Sequence, residues 1–127
     1  MGEMPIRVLL VDDQDLYREG LRTLLSTQPD LEVVGEAGNG EEALRLAAAL
    51  QPDVVLMDLR MPVMDGATAT HHLLGRRPDC RVIMLSTFDD EESRAEGLEA
   101  GAAGYLLKDT SLEDLVQAIQ VAVLGNR

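Results

Sequence analysis

Val54-Val55-Leu56-Met57-Asp58 is an unbroken apolar run that ends on a carboxylate. A strand with one face in water alternates apolar and polar residues, whereas a strand covered on both faces does not need to. This run therefore reads as a central strand of a parallel sheet, with Asp58 at its carboxyl end. The same pattern recurs on either side: Ile6 to Val11 leads into Asp12 and Asp13, Val82 to Leu85 into Ser86 and Thr87, and Gly104 to Leu107 into Lys108. A fifth run, Leu31 to Gly35, completes the set.

Between the runs, apolar residues recur at helical spacing. Leu16, Leu21, Leu24 and Leu25 mark the inward side of a first helix, and Ala43, Leu44, Leu46, Ala47 and Leu50 that of a second. A third is expected from Gly66 through Leu74, a fourth over roughly Glu91 to Ala100 with Gly97 inside it, and a fifth after Ser111, with Leu112, Leu115, Val116 and Ile119 inward. Ser111 and Asp114 have the spacing of a capping box, and Gly125 marks a stop. Strand then helix, five times over, predicts an α/β domain: a five-stranded parallel sheet, doubly wound as (βα)5 in the three-layer flavodoxin-like manner. The 127 residues are used up by these elements, so one domain over 1–127 is expected.

Composition narrows the function. Twenty-three acidic against 11 basic residues give a formal net charge of -12, with no Lys/Arg cluster to displace counterions from a nucleic acid. No apolar run approaches the ~20 residues of a membrane span, and no secretory signal opens the chain. The single Cys80 forms no internal disulfide, so a reducing cytoplasm fits best. His71 and His72 are adjacent, point in different directions on a helix and are given no role. Asp89 to Glu92 suits the start of the fourth helix, where acids meet the positive end of the dipole.

Parallel sheets carry their sites outside the carboxyl ends of the strands, near the point where strand order reverses. That rule collects Asp12, Asp13, Asp58, Ser86, Thr87 and Lys108. Each alone has an ordinary reading: paired aspartates are common turn residues or caps, and a lone lysine is commonly a solvated one. Together they put clustered carboxylates beside one ammonium, an arrangement that calls for a compensating cation. Mg²⁺, a hard ion held by one or two carboxylates plus phosphate, suits it. Phosphoryl transfer follows, with Asp58 as acceptor, Lys108 pairing with phosphoryl oxygens and Ser86 donating a hydroxyl.

The stretches Val8-Leu9-Leu10-Val11-Asp12-Asp13, Val55 through Gly66 (VLMDLRMPVMDG), Met84-Leu85-Ser86-Thr87 and Gly104-Tyr105-Leu106-Leu107-Lys108 resemble the response regulator receiver family over almost the whole chain. The resemblance implies that Asp12 and Asp13 help bind Mg²⁺, that the backbone carbonyl of Arg60 completes the protein's share of the metal shell, and that Asp58 is phosphorylated by a histidine kinase. It further implies that Ser86 and Tyr105 form a switch pair, with the ring moving inward on phosphorylation. Arg18 to Leu25 and Val33 to Ala37 resemble the NarL/FixJ (LuxR-type) class of transcriptional regulators. In that class a helix-turn-helix domain follows, so the chain is expected to be an excised receiver, with DNA contacts in the missing part. A homodimer through the first and fifth helices is a further expectation. One departure stands out: many receivers have proline after the active-site lysine, with a cis bond, whereas Asp109 follows Lys108 here, and a cis bond before a non-proline costs ~3 kcal/mol.

Three rivals use the same elements. A Mg²⁺-dependent phosphatase with an Asp nucleophile usually carries a second acid two residues on, where this chain has Arg60. A flavin-binding domain needs a phosphate loop after its first strand, where Asp12-Asp13-Gln14-Asp15 would repel phosphate. A binding module that switches without phosphate has no need of the intact acids, hydroxyl and lysine.

Overall fold

The computed structural model describes residues 4–125. Its five strands are β1 (Ile6–Val11), β2 (Leu31–Ala37), β3 (Val54–Met57), β4 (Arg81–Ser86) and β5 (Gly104–Leu107), and its five helices are α1 (Asp15–Leu25), α2 (Gly40–Leu50), α3 (Gly66–Arg76), α4 (Glu91–Glu99) and α5 (Leu112–Leu124). All strand pairs are parallel, in the order β2-β1-β3-β4-β5. Strand order reverses between β1 and β3, so the crevice lies where Asp12, Asp13 and Asp58 leave the sheet.

The lack of alternation along the strands is explained by two cores. Leu9, Val11, Val55, Met57, Val82 and Met84 meet Ala43, Ala47, Ala69 and Leu73 of α2 and α3 on one face. Val8, Leu10, Val54, Leu56, Ile83 and Leu85 meet Leu21, Leu25, Leu115 and Ile119 of α1 and α5 on the other. β3 is buried at every position.

Three differences from the pattern reading have physical causes. On α1 only Leu21 and Leu25 enter the core, while Leu16 is 83% and Leu24 50% exposed. Residues four apart share a helix face, so Tyr17, rather than Leu16, continues the stripe of Leu21 and Leu25. β2 runs on to Ala37, paired with Leu10 and Val11 of β1, and its polar Glu36 is held by Arg18 at 2.9 Å and Arg22 at 2.5 Å. β4 gains a residue at each end, which makes Ser86 part of the strand.

Helix ends follow side-chain caps. Asn39, Asp65, Asp90 and Ser111 each accept a backbone N–H from the first turn, the last from Asp114 at 3.0 Å, and Gly125 caps α5. Gly97 is admitted inside α4 for a packing reason: a Cβ there would lie 2.9 Å from Met84 Cγ and 3.2 Å from the Tyr105 ring. Among the described residues no helix is long and apolar enough to cross a membrane.

Gly66 is the tightest point. Its N–H donates to Leu59 O at 2.8 Å, and a Cβ would stand 2.1 Å from the Asp58 carbonyl oxygen, a backbone atom that cannot give way. Gly66→Ala is expected to cost about 3 kcal/mol or more in a urea titration; an unchanged midpoint would show that the loop after β3 is less constrained than this packing requires.

Candidate functional site

The sheet aims the acids. Asp58 N–H donates to Val11 O at 2.9 Å and Asp12 N–H to Ala37 O at 3.0 Å, so both residues extend the strand ladder and hold their side chains at its end. Asp12 and Asp58 are buried and Asp13 is exposed, and each offers an oxygen within 4.8 Å of the other two. Gln14 N–H caps Asp12 Oδ1 at 2.8 Å, and Arg18 donates to the Asp12 carbonyl while bridging to Asp15 and Glu36.

Lys108 comes in from the opposite side. Its N–H donates to Ser86 O at 2.8 Å, anchoring the turn after β5 to β4. Its ammonium lies 2.7 Å from Asp12 Oδ2, 3.3 Å from Asp58 Oδ2 and 2.7 Å from Gln14 Oε1. The Lys108–Asp109 bond is trans, as is every peptide bond among the described residues, and the lysine reaches the carboxylates all the same.

One ammonium does not balance three carboxylates. Burial, with Asp12 and then Asp13 adding to it, pushes Asp58 up to about 6 against the opposing pull of Lys108. A carboxylate cluster of hard oxygen donors left with excess negative charge fits a small divalent cation of the Mg²⁺ kind. Tyr17 is raised to about 12, first by burial and then by Asp12 and Asp58, which keeps its hydroxyl neutral at every working pH.

The remaining expected residues fall into two places. Ser86 is fully buried and its Oγ accepts Phe88 N–H at 3.0 Å, while Tyr105 donates its hydroxyl to Phe88 O at 2.7 Å. Ser86 and Tyr105 thus hold the two backbone groups of one residue. The ring of Tyr105 is buried, with the Arg94 guanidinium 5.1 Å above it. Arg60 stands at the rim, its side chain drawn from the acids to Glu96 of α4 at 3.0 Å and over the Phe88 ring at 5.6 Å. His71 and His72 are exposed and far from this chemistry in role. Cys80 is packed in the core, and burial pushes its thiol up to about 11.

Gln14, Tyr17 and Phe88 were not singled out from the sequence. Gln14 and Tyr17 follow the acidic pair on an ordinary cap and helix stripe, and Phe88 acts through its backbone, which leaves no mark on residue type.

The response regulator receiver domain model matches residues 8–120. The chain belongs to that family. LiaR, a transcriptional regulatory protein of Bacillus subtilis, is 46% identical over 120 residues, 94% of this chain and 57% of its own length. Response regulator GacA of Pseudomonas aeruginosa is 44% identical over 122 residues, 96% of this chain and 57% of its own. The signal receiver domain of NarL from Mycobacterium tuberculosis superposes with a TM-score of 0.92 at 38% identity, covering 98% of this chain and all of that one. CheY in a complex with CheX, BeF3 and Mg²⁺ from Borrelia burgdorferi reaches 0.85 at 27% identity, covering 92% of this chain and 88% of that one.

The receiver spans little more than half the length of these curated relatives. They are transcriptional regulators of NarL/LuxR type, and phosphorylation-activated signalling is the standard function of the family; a receiver is a signalling domain and not a classical enzyme.

Because the Asp58 pKa lies above its unfolded value of about 4, the folded receiver keeps a proton between about pH 4 and 6 that the unfolded chain has lost, and stability falls as pH rises through that window. Asp58→Asn removes the penalty. In metal-free buffer at pH 7.5 it should be more stable than wild type by about 1–2 kcal/mol after allowance for solvent screening at the open crevice. The advantage should vanish below about pH 4. A urea titration at both pH values checks it, and a less stable Asp58→Asn at pH 7.5 would contradict the charge balance.

Proposed function

We propose that Asp58 accepts a phosphoryl group from the phosphohistidine of a sensor kinase, and that the resulting acyl phosphate switches the receiver. The observation that supports this most is the placement of a buried, electrostatically raised carboxylate at the strand-order reversal, in reach of the chain's one lysine. With a pKa of about 6, Asp58 is ionised at neutral pH and able to attack. Its oxygen forms a bond to phosphorus as the phosphorus–nitrogen bond to the donor imidazole breaks, and the imidazole leaves with the electron pair and takes a proton.

Asp12, Asp13, Asp58 and the carbonyl of Arg60 are the groups that would hold Mg²⁺, which when bound neutralises charge shared by the acids and the phosphoryl oxygens. Lys108 supplies a fixed positive charge to a phosphoryl oxygen, and Ser86 turns its hydroxyl to another. Removal of the phosphoryl group by water at the same site makes the receiver a catalyst of its own phosphorylation and dephosphorylation only.

The switch runs through Phe88. Ser86 and Tyr105 bond its N–H and C=O, so drawing the Ser86 hydroxyl to a phosphoryl oxygen changes the support of the loop before α4 and of the Tyr105 ring. On this reading the inward position of the Tyr105 ring is the one that phosphorylation favours.

The wider assignment follows the relatives. The receiver is read as one domain of a longer transcriptional regulator of a reducing cytoplasm, its DNA contacts made by a helix-turn-helix domain that follows it. A net charge of -12 supports leaving DNA to another domain. The outward Leu16 and Leu24 on α1, beside Leu112 and Val116 of α5, supply an apolar face for a second copy.

Two experiments check this. Incubation with acetyl phosphate and Mg²⁺ should add one phosphoryl mass to the intact protein, and none to Asp58→Ala or in EDTA; no gain by wild type would favour a phosphate-independent binding module of the same fold. In sedimentation velocity, beryllofluoride with Mg²⁺ should shift wild type toward a dimer and shift Tyr105→Ala less, whereas an unchanged monomer would remove the α1/α5 dimer.

A further inference from the structure

Lys108 is the only lysine in the chain; its ammonium donates to Gln14 Oε1 at 2.7 Å and to Asp58 Oδ2 at 3.3 Å, and pairs with Asp12 Oδ2 at 2.7 Å. The remaining side of the ammonium is closed by the Tyr17 ring, whose centroid lies 4.7 Å from Nζ. The Tyr17 hydroxyl sits over the backbone of the same residue, 3.4 Å from Lys108 O, at the long limit for a hydrogen bond. Behind the ring runs the groove between α1 and α5, lined by Leu16, Leu21, Leu24, Leu112 and Leu115, which ends against Tyr17 and Lys108. The ring and Lys108 together form that end of the groove.

We propose that Tyr17 is a positioning residue for phosphoryl transfer: its ring face holds the Lys108 ammonium against the acids and keeps groove water from it. This rests on the reading of Asp58 as acceptor. An ammonium on four methylenes is flexible, and a lysine that must serve a phosphoryl oxygen has to be held where that oxygen arrives. The ion pair with Asp12 and the hydrogen bond to Gln14 hold it on one side. A phosphoryl group on Asp58 would take an ammonium donor, and of the two hydrogen bonds the one to Asp58, at 3.3 Å the longer, is the one it displaces most readily. Through that exchange the ring contact needs no donor and stays in place, since the attraction of a cation to an aromatic face does not use N–H geometry. Excluding water from the ammonium also strengthens its action on nearby anions. The ring, and not the marginal hydroxyl, carries the effect.

The test uses Tyr17→Leu, Tyr17→Phe and the unaltered chain, each with Asp58→Ala as the blank. Phosphoryl uptake from acetyl phosphate with Mg²⁺ is timed by intact mass. In parallel, the ε-methylene of Lys108, a single resonance in lysine-labelled protein, is observed by NMR. Tyr17→Leu keeps an apolar side chain on the stripe but should slow uptake by about three- to tenfold and move the Lys108 resonance from its upfield, ring-shifted position toward that of free lysine. Tyr17→Phe should recover the rate to within about twofold and restore the upfield position. Uptake at the wild-type rate in Tyr17→Leu, a slower rate with the Lys108 resonance unmoved, or a Tyr17→Phe as slow as Tyr17→Leu would each overturn the proposal while leaving Asp58 as the acceptor. Absence of uptake by the wild type would instead sink the acceptor reading, and this inference with it.

Discussion

The repulsion among Asp12, Asp13 and Asp58, opposed by the single ammonium of Lys108, is the constraint around which the rest of the receiver is arranged. Three carboxylates with oxygens within 4.8 Å of one another are costly in a crevice with reduced dielectric, and one lysine offsets only part of that cost. Burial first, and then the unbalanced charge, raises Asp58, and a small cation among these acids would relieve it. The site is therefore less comfortable empty than filled. Binding and reaction can draw on that difference, as strain held at a functional position does elsewhere.

A sheet with two buried faces is what makes such crowding sustainable. The strands pack against α2 and α3 on one side and α1 and α5 on the other, and the ladder continues past β3 through the Asp58 N–H to Val11 O bond. The backbones of Asp12 and Asp58 cannot move apart without breaking these ladder bonds. Gly66 closes the loop beneath Asp58, and Arg18 ties the Asp12 carbonyl to Glu36 and Asp15. Phe88 ties this end of the sheet to the loop before α4, its two backbone groups held by Ser86 from the sheet interior and Tyr105 from β5.

Much of this was legible in the order of residues. Continuous apolar runs announced strands buried on both faces, and residues at strand ends marked the site because chain connectivity brings those ends together. Asp12, Asp13, Asp58 and Lys108 meet as expected. What was not legible depended on rotation and on backbone. Leu16 and Leu24 look inward by composition, yet Tyr17 takes the stripe with Leu21 and Leu25. β2 continues through Glu36 by pairing with Leu10 of β1, and two arginines from α1 hold the glutamate. The buried Tyr105 ring is set by the Phe88 carbonyl and by the space Gly97 leaves on α4, neither of which residue type alone reveals. The trans bond at Lys108–Asp109, left open by the sequence, is compatible with the lysine's reach because Ser86 O, Gln14 and Tyr17 fix its course.

The central claim is that, of three neighbouring carboxylates, Asp58 is the one that carries the phosphoryl group. Borohydride reduces an acyl phosphate to the alcohol and so converts the phosphorylated aspartate into homoserine, a change that peptide sequencing by mass spectrometry assigns to one position. After treatment with acetyl phosphate and Mg²⁺, homoserine at position 58 alone is the predicted result. Homoserine at position 12 or 13, with Asp58 intact, would contradict it.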